Sequence, residues 1–171
     1  MNPKTPAASK TVFTDLVLPS DTNPLGNLFG GELLSRMDRA ACIAAERHAG
    51  NVVVTASVNH VHFSKPVPLG SVLTLEAKVS RSFSTSIEVF IDVWIEPRGS
   101  SELREKANEA IYTFVAGDGK GKPTAVPPVQ PETELEKARY DAALRRRQLS
   151  LILAKKLSPD DATELKALFD H

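Results

Sequence analysis

One cysteine, Cys42, in 171 residues leaves no partner for an intrachain disulfide. The fold must hold by packing alone, and a reducing compartment suits it. An excess of charge of one sign is also missing. The 21 basic and 21 acidic residues balance, so there is no global field to draw nucleic acid or an anionic membrane. No apolar run approaches the ~20 residues that a spanning helix needs. The opening MNPKTPAASKT has no apolar stretch of the kind that marks a secretory signal. A cytoplasmic protein with no nucleic-acid and no membrane partner is expected. Two catalytic signatures are absent as well: the phosphate-cradling glycine loop that ends in Gly-Lys-Ser/Thr, and the glycine-flanked serine elbow of Ser–His–Asp hydrolases. Of the four histidines, only His60 and His62 stand close together. Two ligands without a third do not make a zinc site, so no metal is expected. The sequence has no internal repeat, and its length suffices for one domain with a real core.

What is present is concentrated in residues 19–38, PSDTNPLGNLFGGELLSRMD. The segment carries an amide (Asn23), glycines (Gly26, Gly30, Gly31), a helix start and a carboxylate (Asp38). A glycine pair at a helix start leaves backbone N–H groups uncovered at the positive end of the helix dipole. A developing oxyanion is stabilised at such a place. Each feature also has a plainer reading. Asn before Pro is ordinary turn chemistry. Paired glycines serve backbone geometry. A carboxylate at the edge of an apolar helix face is often solvated or paired with a distant cation. Yet the helical neighbours of Asp38 are Leu34, Ser35, Ala41 and Cys42, so no intrahelical ion pair accounts for it. A half-buried carboxylate without a partner is also what a general base requires. At ~1.5 Å per residue, Asp38 lies ~10 Å along the helix from Gly31. If Asn23 and Asp38 act on one carbon, they are expected to come from different subunits of a dimer with antiparallel helices.

Around this segment the periodicity predicts a strand over 11–18 and a helix over 31–48, ended by Gly50 and Asn51. Leu33, Leu34, Met37, Ala40, Ala41 and Ala44 share its apolar face. Glu32, Arg36, Arg39, Glu46 and Arg47 share the other. Strands are predicted over 52–63, 71–80, 85–96 and 104–116, joined by short turn-rich links that suggest an antiparallel meander. In the third of these, Ile87, Val89, Ile91, Val93 and Ile95 alternate with Glu88, Asp92 and Glu96. One apolar helix followed by strands points to an α+β fold, a sheet wrapped around that helix. After a Pro-rich connector, helices are expected over 132–149 and 158–169, the latter capped by Ser158 and Pro159. Residues 1–10 read as a loose tail. Arg145, Arg146 and Arg147 form a basic cluster, either a solvated helix face or a phosphate contact.

Four blocks then carry a resemblance: LPSDTNPLGNLFGGELLSRMD, VHFSKPVPLGSVL, STSIEVFIDVW and KANEAIYTFVAGDGKGKPTAVP. In this order they resemble the hotdog-fold acyl-CoA thioesterases. The likeness is to the short bacterial acyl-CoA hydrolases related to the brain acyl-CoA hydrolases, and it runs from about Thr11 to Val129. It implies a hotdog domain over 11–129, leaving 1–10 as a tail and 130–171 as a C-terminal helical extension. It implies Asn23 and Asp38 as a catalytic pair from opposite subunits. Gly30 and Gly31 would polarise the thioester carbonyl, and Thr85 and Ser86 would lie near coenzyme A. Arg145 and Arg146 are added as CoA contacts from charge alone. Acyl-CoA hydrolysis to a fatty acid and CoA is thus expected, in a dimer and, by the family's habit, a trimer of dimers forming a homohexamer. No cofactor is implied beyond the CoA of the substrate. Asp38 would activate water, with direct attack to an anhydride as a second route. Two alternatives are a hotdog hydratase or dehydratase and a non-catalytic acyl-CoA sensor.

Overall fold

The computed structural model describes residues 1–100 and 103–169. The end of the 97–101 turn and His171 lie outside the described residues. In chain order the elements are α1 (Pro6–Ser9), β1 (Thr11–Leu16), α2 (Gly30–Ala49), β2 (Val53–Phe63), β3 (Val72–Ser82), β4 (Ser86–Glu96), β5 (Glu105–Ala116), α3 (Glu134–Leu153) and α4 (Thr163–Lys166).

Helix α2 is the core. Leu33, Met37, Ala40, Ala41, Ala44 and Ala45 are buried along it. The run of alanines keeps the helix close to the sheet, while each large side chain removed from water contributes ~1.5–3 kcal/mol. Gly50 ends the helix at φ 68°, its N–H donating to the Glu46 carbonyl, a left-handed conformation that glycine adopts without steric cost. The expected polar face needs one correction. Arg36 is only 6% exposed, because two carboxylates outside the helix draw it inward.

The five-stranded sheet has the order β1-β3-β4-β5-β2, antiparallel throughout. Only β3, β4 and β5 form the expected meander. Strand β2 pairs with β5, from Val53↔Ala116 to Phe63↔Asn108. The 64–71 link cannot fold straight back, because Pro66 and Pro68 offer no N–H to a ladder. It crosses the mouth of α2 instead, where Leu28 N–H donates to the Val67 carbonyl and Leu69 N–H to the Gly26 carbonyl.

Alternation in β4 sends Ile87, Val89, Ile91, Val93 and Ile95 inward against α2. Its outer face is not left to solvent. Helix α3 lies over it and buries Glu88 and Phe90. Arg139 donates to Asp92, Arg146 to Glu88, and Arg81 to the Tyr140 carbonyl. Thr133 and Glu136 cap α3 reciprocally, a capping box.

Two terminal expectations are corrected. Residues 1–10 are not a loose tail. Lys4 bridges Val129 in parallel, its Nζ donates to the Arg47 and His48 carbonyls at the end of α2, and the buried Ser9 hydroxyl accepts from Val79 N–H. A cation at a helix C-terminus meets unsatisfied carbonyls and the negative end of the dipole, which holds this segment down. The expected 158–169 helix is a 3₁₀ turn, Pro159–Asp161, followed by the short α4, with a break at Ala162. No helix of the described residues is long and apolar enough to cross a membrane.

Candidate active site

Asn23 stands at the root of a small hairpin. Its N–H donates to the Asn27 carbonyl, and Thr22 pairs with Leu28. Its side-chain oxygen accepts from Leu25 N–H at 2.9 Å and from Asn27 N–H at 3.2 Å. Two backbone donors fix the amide orientation, so the Nδ2 hydrogens are left as its remaining donors. The turn reading of Asn23 is therefore correct, and it leaves the NH₂ group unspent. Asn23 lines a cavity of about 230 Å³ with Asn27, Gly30, Phe63, Lys65 and Asn108.

Helix α2 opens at this cavity. Phe29 is its N-cap and offers no side-chain acceptor to the first turn. The N–H groups at Gly30 and Gly31 thus lack the usual capping partner. Neither glycine is required by a positive φ, and a Cβ on Gly31 would meet nothing within 4 Å. The chain's own packing does not explain why Gly31 is glycine.

Asp38 lies elsewhere. It lines an open pocket of about 580 Å³ with Leu34, Ser35, Thr55, Val58, Val61 and Tyr112. It is half-buried. Thr55 Oγ1 donates to Asp38 Oδ1 at 2.8 Å, and no Lys or Arg among the described residues forms an ion pair with it. Tyr112 Oη donates to the Leu34 carbonyl at 3.0 Å, one turn before Asp38, and steadies that turn. Burial, and after it the charge of Asp38, push the Tyr112 hydroxyl up to about 12, so it remains a neutral donor. Burial, then Glu46 and Asp38, push the Cys42 thiol up, which leaves it a packed thiol rather than a nucleophile.

Asn23 and Asp38 therefore line different cavities of one chain. Thr55 and Tyr112 were not singled out from sequence. Both reach Asp38 or its turn through long-range packing of β2 and β5 on α2, and no local spacing encodes that.

Thr85 and Ser86 sit where β3 turns into β4. Ser86 is 6% exposed, and its hydroxyl accepts from Arg147 Nη1 at 3.1 Å. Arg147 also lies 4.4 Å above the Phe83 ring. Arg146 makes a bidentate pair with Glu88, at 3.0 and 2.8 Å, so its charge is already matched. Arg145 makes no ion pair among the described residues. His62 Nδ1 is bonded to Ser64 Oγ. No cluster of three or more His, Cys, Asp or Glu that could hold a metal occurs among the described residues.

The thioesterase superfamily model matches residues 25–102. The acyl-CoA thioester hydrolase YkhA of Bacillus subtilis, itself uncharacterized, is 44% identical over 138 residues, covering 81% of this chain and 80% of its own. An acyl-CoA hydrolase from Staphylococcus aureus, solved with butyryl-CoA and CoA, superposes with a TM-score of 0.82 at 38% identity over 90% of this chain and 94% of that one. Structures of that enzyme include variants in which an Asp, a Thr or an Asn is replaced by Ala. An apo-hexameric acyl-CoA thioesterase superposes at 0.83, with 39% identity over 90% of this chain and 98% of that one. The sheet around α2 and these likenesses agree: the chain belongs to the hotdog-fold acyl-CoA thioesterases and is an acyl-CoA thioester hydrolase.

Proposed function

We propose that Asp38 is the general base of acyl-CoA hydrolysis and that it works with Asn23 of a second subunit. The observation that carries this is Asp38 itself: half-buried, without an ion-pair partner among the described residues, and held by Thr55 in the lining of a largely apolar pocket. Such a carboxylate is poised to take a proton from water. The water oxygen bonds to the thioester carbon as Asp38 takes its proton. The oxyanion that forms is held by the free N–H groups at Gly30 or Gly31 and by Asn23 Nδ2. The C–S bond then breaks, the proton passes from Asp38 to the sulfur, and a fatty acid and CoA leave. The apolar wall of Leu34, Val58 and Val61 receives the acyl chain.

The separate cavities of Asn23 and Asp38 support a dimer that brings one of each together. The exposed β2 edge, with Val54, Val58 and Phe63 bare, supports the same arrangement. Because relatives are hexameric, three such dimers in one assembly are part of the proposal. The intervals between the three substituted positions of the Staphylococcus aureus enzyme equal those between Asn23, Asp38 and Thr55, which favours the same three residues here. For CoA, Thr85, Arg145 and Arg147 are the better contacts, with Ser86 orienting Arg147. Arg146 reaches CoA only by sharing its pair with Glu88.

Asp38→Asn keeps the shape and removes the base. A fall in kcat of ~10² or more is expected with the fold intact, the scale of general-base loss. Thiol release from a panel of acyl-CoAs checks it, and near wild-type turnover of the folded variant sinks the role.

A further inference from the structure

Arg36 has no place in the chemistry above, yet it is among the most buried charges of the molecule. Its side chain is 7% exposed, Nη2 donates to Asp21 Oδ2 at 2.8 Å, and Nε lies 3.3 Å from Asp15 Oδ2. Its Nη1 is buried with no partner. An exposed lysine on this turn of α2 would avoid the desolvation that a buried guanidinium carries. What the burial secures is a joint.

Asp21 is the centre of that joint. Its Oδ2 also accepts from Leu18 N–H. Its backbone carbonyl accepts from Phe29 N–H at 2.9 Å. Both roots of the Asn23 hairpin therefore converge on one residue, and Arg36 rivets that residue to α2. Asn23 lies two positions beyond Asp21, and Asp38 two positions beyond Arg36. The remaining bonds of Asn23 are internal to the hairpin, so they shape it without fixing it to the helix.

We propose that Arg36 is a positioning residue: its pair with Asp21 sets where Asn23 stands relative to α2, and hence where its amide meets the substrate carbonyl. The inference rests on the reading of Asn23 as a contributor to the site. A planar fork suits the task, because it grips two carboxylates in fixed geometry where an ammonium would pivot. A misplacement of ~1 Å in such a group costs on the order of 10²-fold in rate.

The test compares Arg36→Met, Arg36→Lys, Asn23→Ala and the double variant Arg36→Met/Asn23→Ala, with kcat, KM and thermal midpoint measured for each. Arg36→Met is expected to lower kcat on the order of 10- to 100-fold and to change KM by no more than ~3-fold. In the Asn23→Ala background the same change should cost less than ~2-fold, because nothing is left to position. Arg36→Lys, which keeps the charge and loses the fork, should fall between. Should Arg36→Met not fold, Asp21→Asn removes the paired charge at constant shape and is judged by the same criteria. Equal losses in both backgrounds, or kcat within ~2-fold of wild type in the folded single variant, overturn the inference. A strongly impaired Asn23→Ala beside an Arg36→Met of near wild-type kcat overturns this inference alone. An active Asn23→Ala overturns the role of Asn23 and this inference with it.

Discussion

Thr55 makes one hydrogen bond of consequence, to Asp38 Oδ1. A bond to a charged acceptor is worth ~1.5–3 kcal/mol. If it aims the base, Thr55→Val, which keeps the branched shape of a strand residue, should lower kcat ~10- to 100-fold at nearly constant KM. Thr55→Ser should restore most of it. Thiol-release kinetics on the two variants decide the matter: equal rates would make the hydroxyl incidental. Asn23 and Asp38 stood out in the sequence as candidates because their signals are local, an Asn-Pro turn beside glycines and a carboxylate with no cation one turn away, and the family resemblance is what joined them into a pair. Thr55 and Arg36 did not. Thr55 stands in a Val- and Thr-rich strand like its neighbours, and Arg36 sits on a helix face that spacing alone marks as solvent. Contact partners far along the chain give each its meaning, and periodicity does not record partners.

At the scale of elements, β4 shows the same limit. Its alternation marks two faces but does not say what covers each. The inner face went to α2 as expected. The outer face, with its acids, is roofed by α3. Glu88 is the most deeply placed of these acids, its side chain 5% exposed and paired with Arg146. Removing one partner of a buried pair leaves an uncompensated charge. Arg146→Ala is accordingly expected to destabilise the fold by about 2–4 kcal/mol, somewhat under the full buried-pair penalty because Arg146 is partly exposed. Adding Glu88→Gln should recover much of the loss. Urea unfolding of the three variants measures this, and additive losses would contradict it. KM for acyl-CoA in the stable double variant then reports whether Arg146 touches CoA at all.

For the whole molecule, the expectation concerns shared sites. Each chain of the proposed dimer lends Asn23 to one site and Asp38 to the other. Asn23→Ala and Asp38→Ala are each expected to retain only a small residual turnover. When the two are mixed and reassembled, a heterodimer holds one site with both groups intact and one with neither. Activity approaching half that of wild type per heterodimer is the expected ceiling, about one intact site of two. No recovery in verified heterodimers, or an active monomer in sedimentation, would remove the shared-site arrangement.

The crossing link between β2 and β3 also has a consequence in time. Strand β2 is the second strand synthesised, but its ladder partner, β5, is the last. A chain emerging from the ribosome carries Val54, Val58 and Phe63 on a strand with no neighbour until residues 105–116 follow. Pairing across such a separation is slow, because the loop must close before any contact rewards it. Through that interval β2 is an open apolar edge, a template for the wrong strand of a neighbouring chain. Helix α2, finished earlier and able to form from local contacts, is the surface on which the waiting strand can rest. The order of manufacture and the order of the sheet are thus at odds, and the growing chain is most vulnerable just before β5 appears.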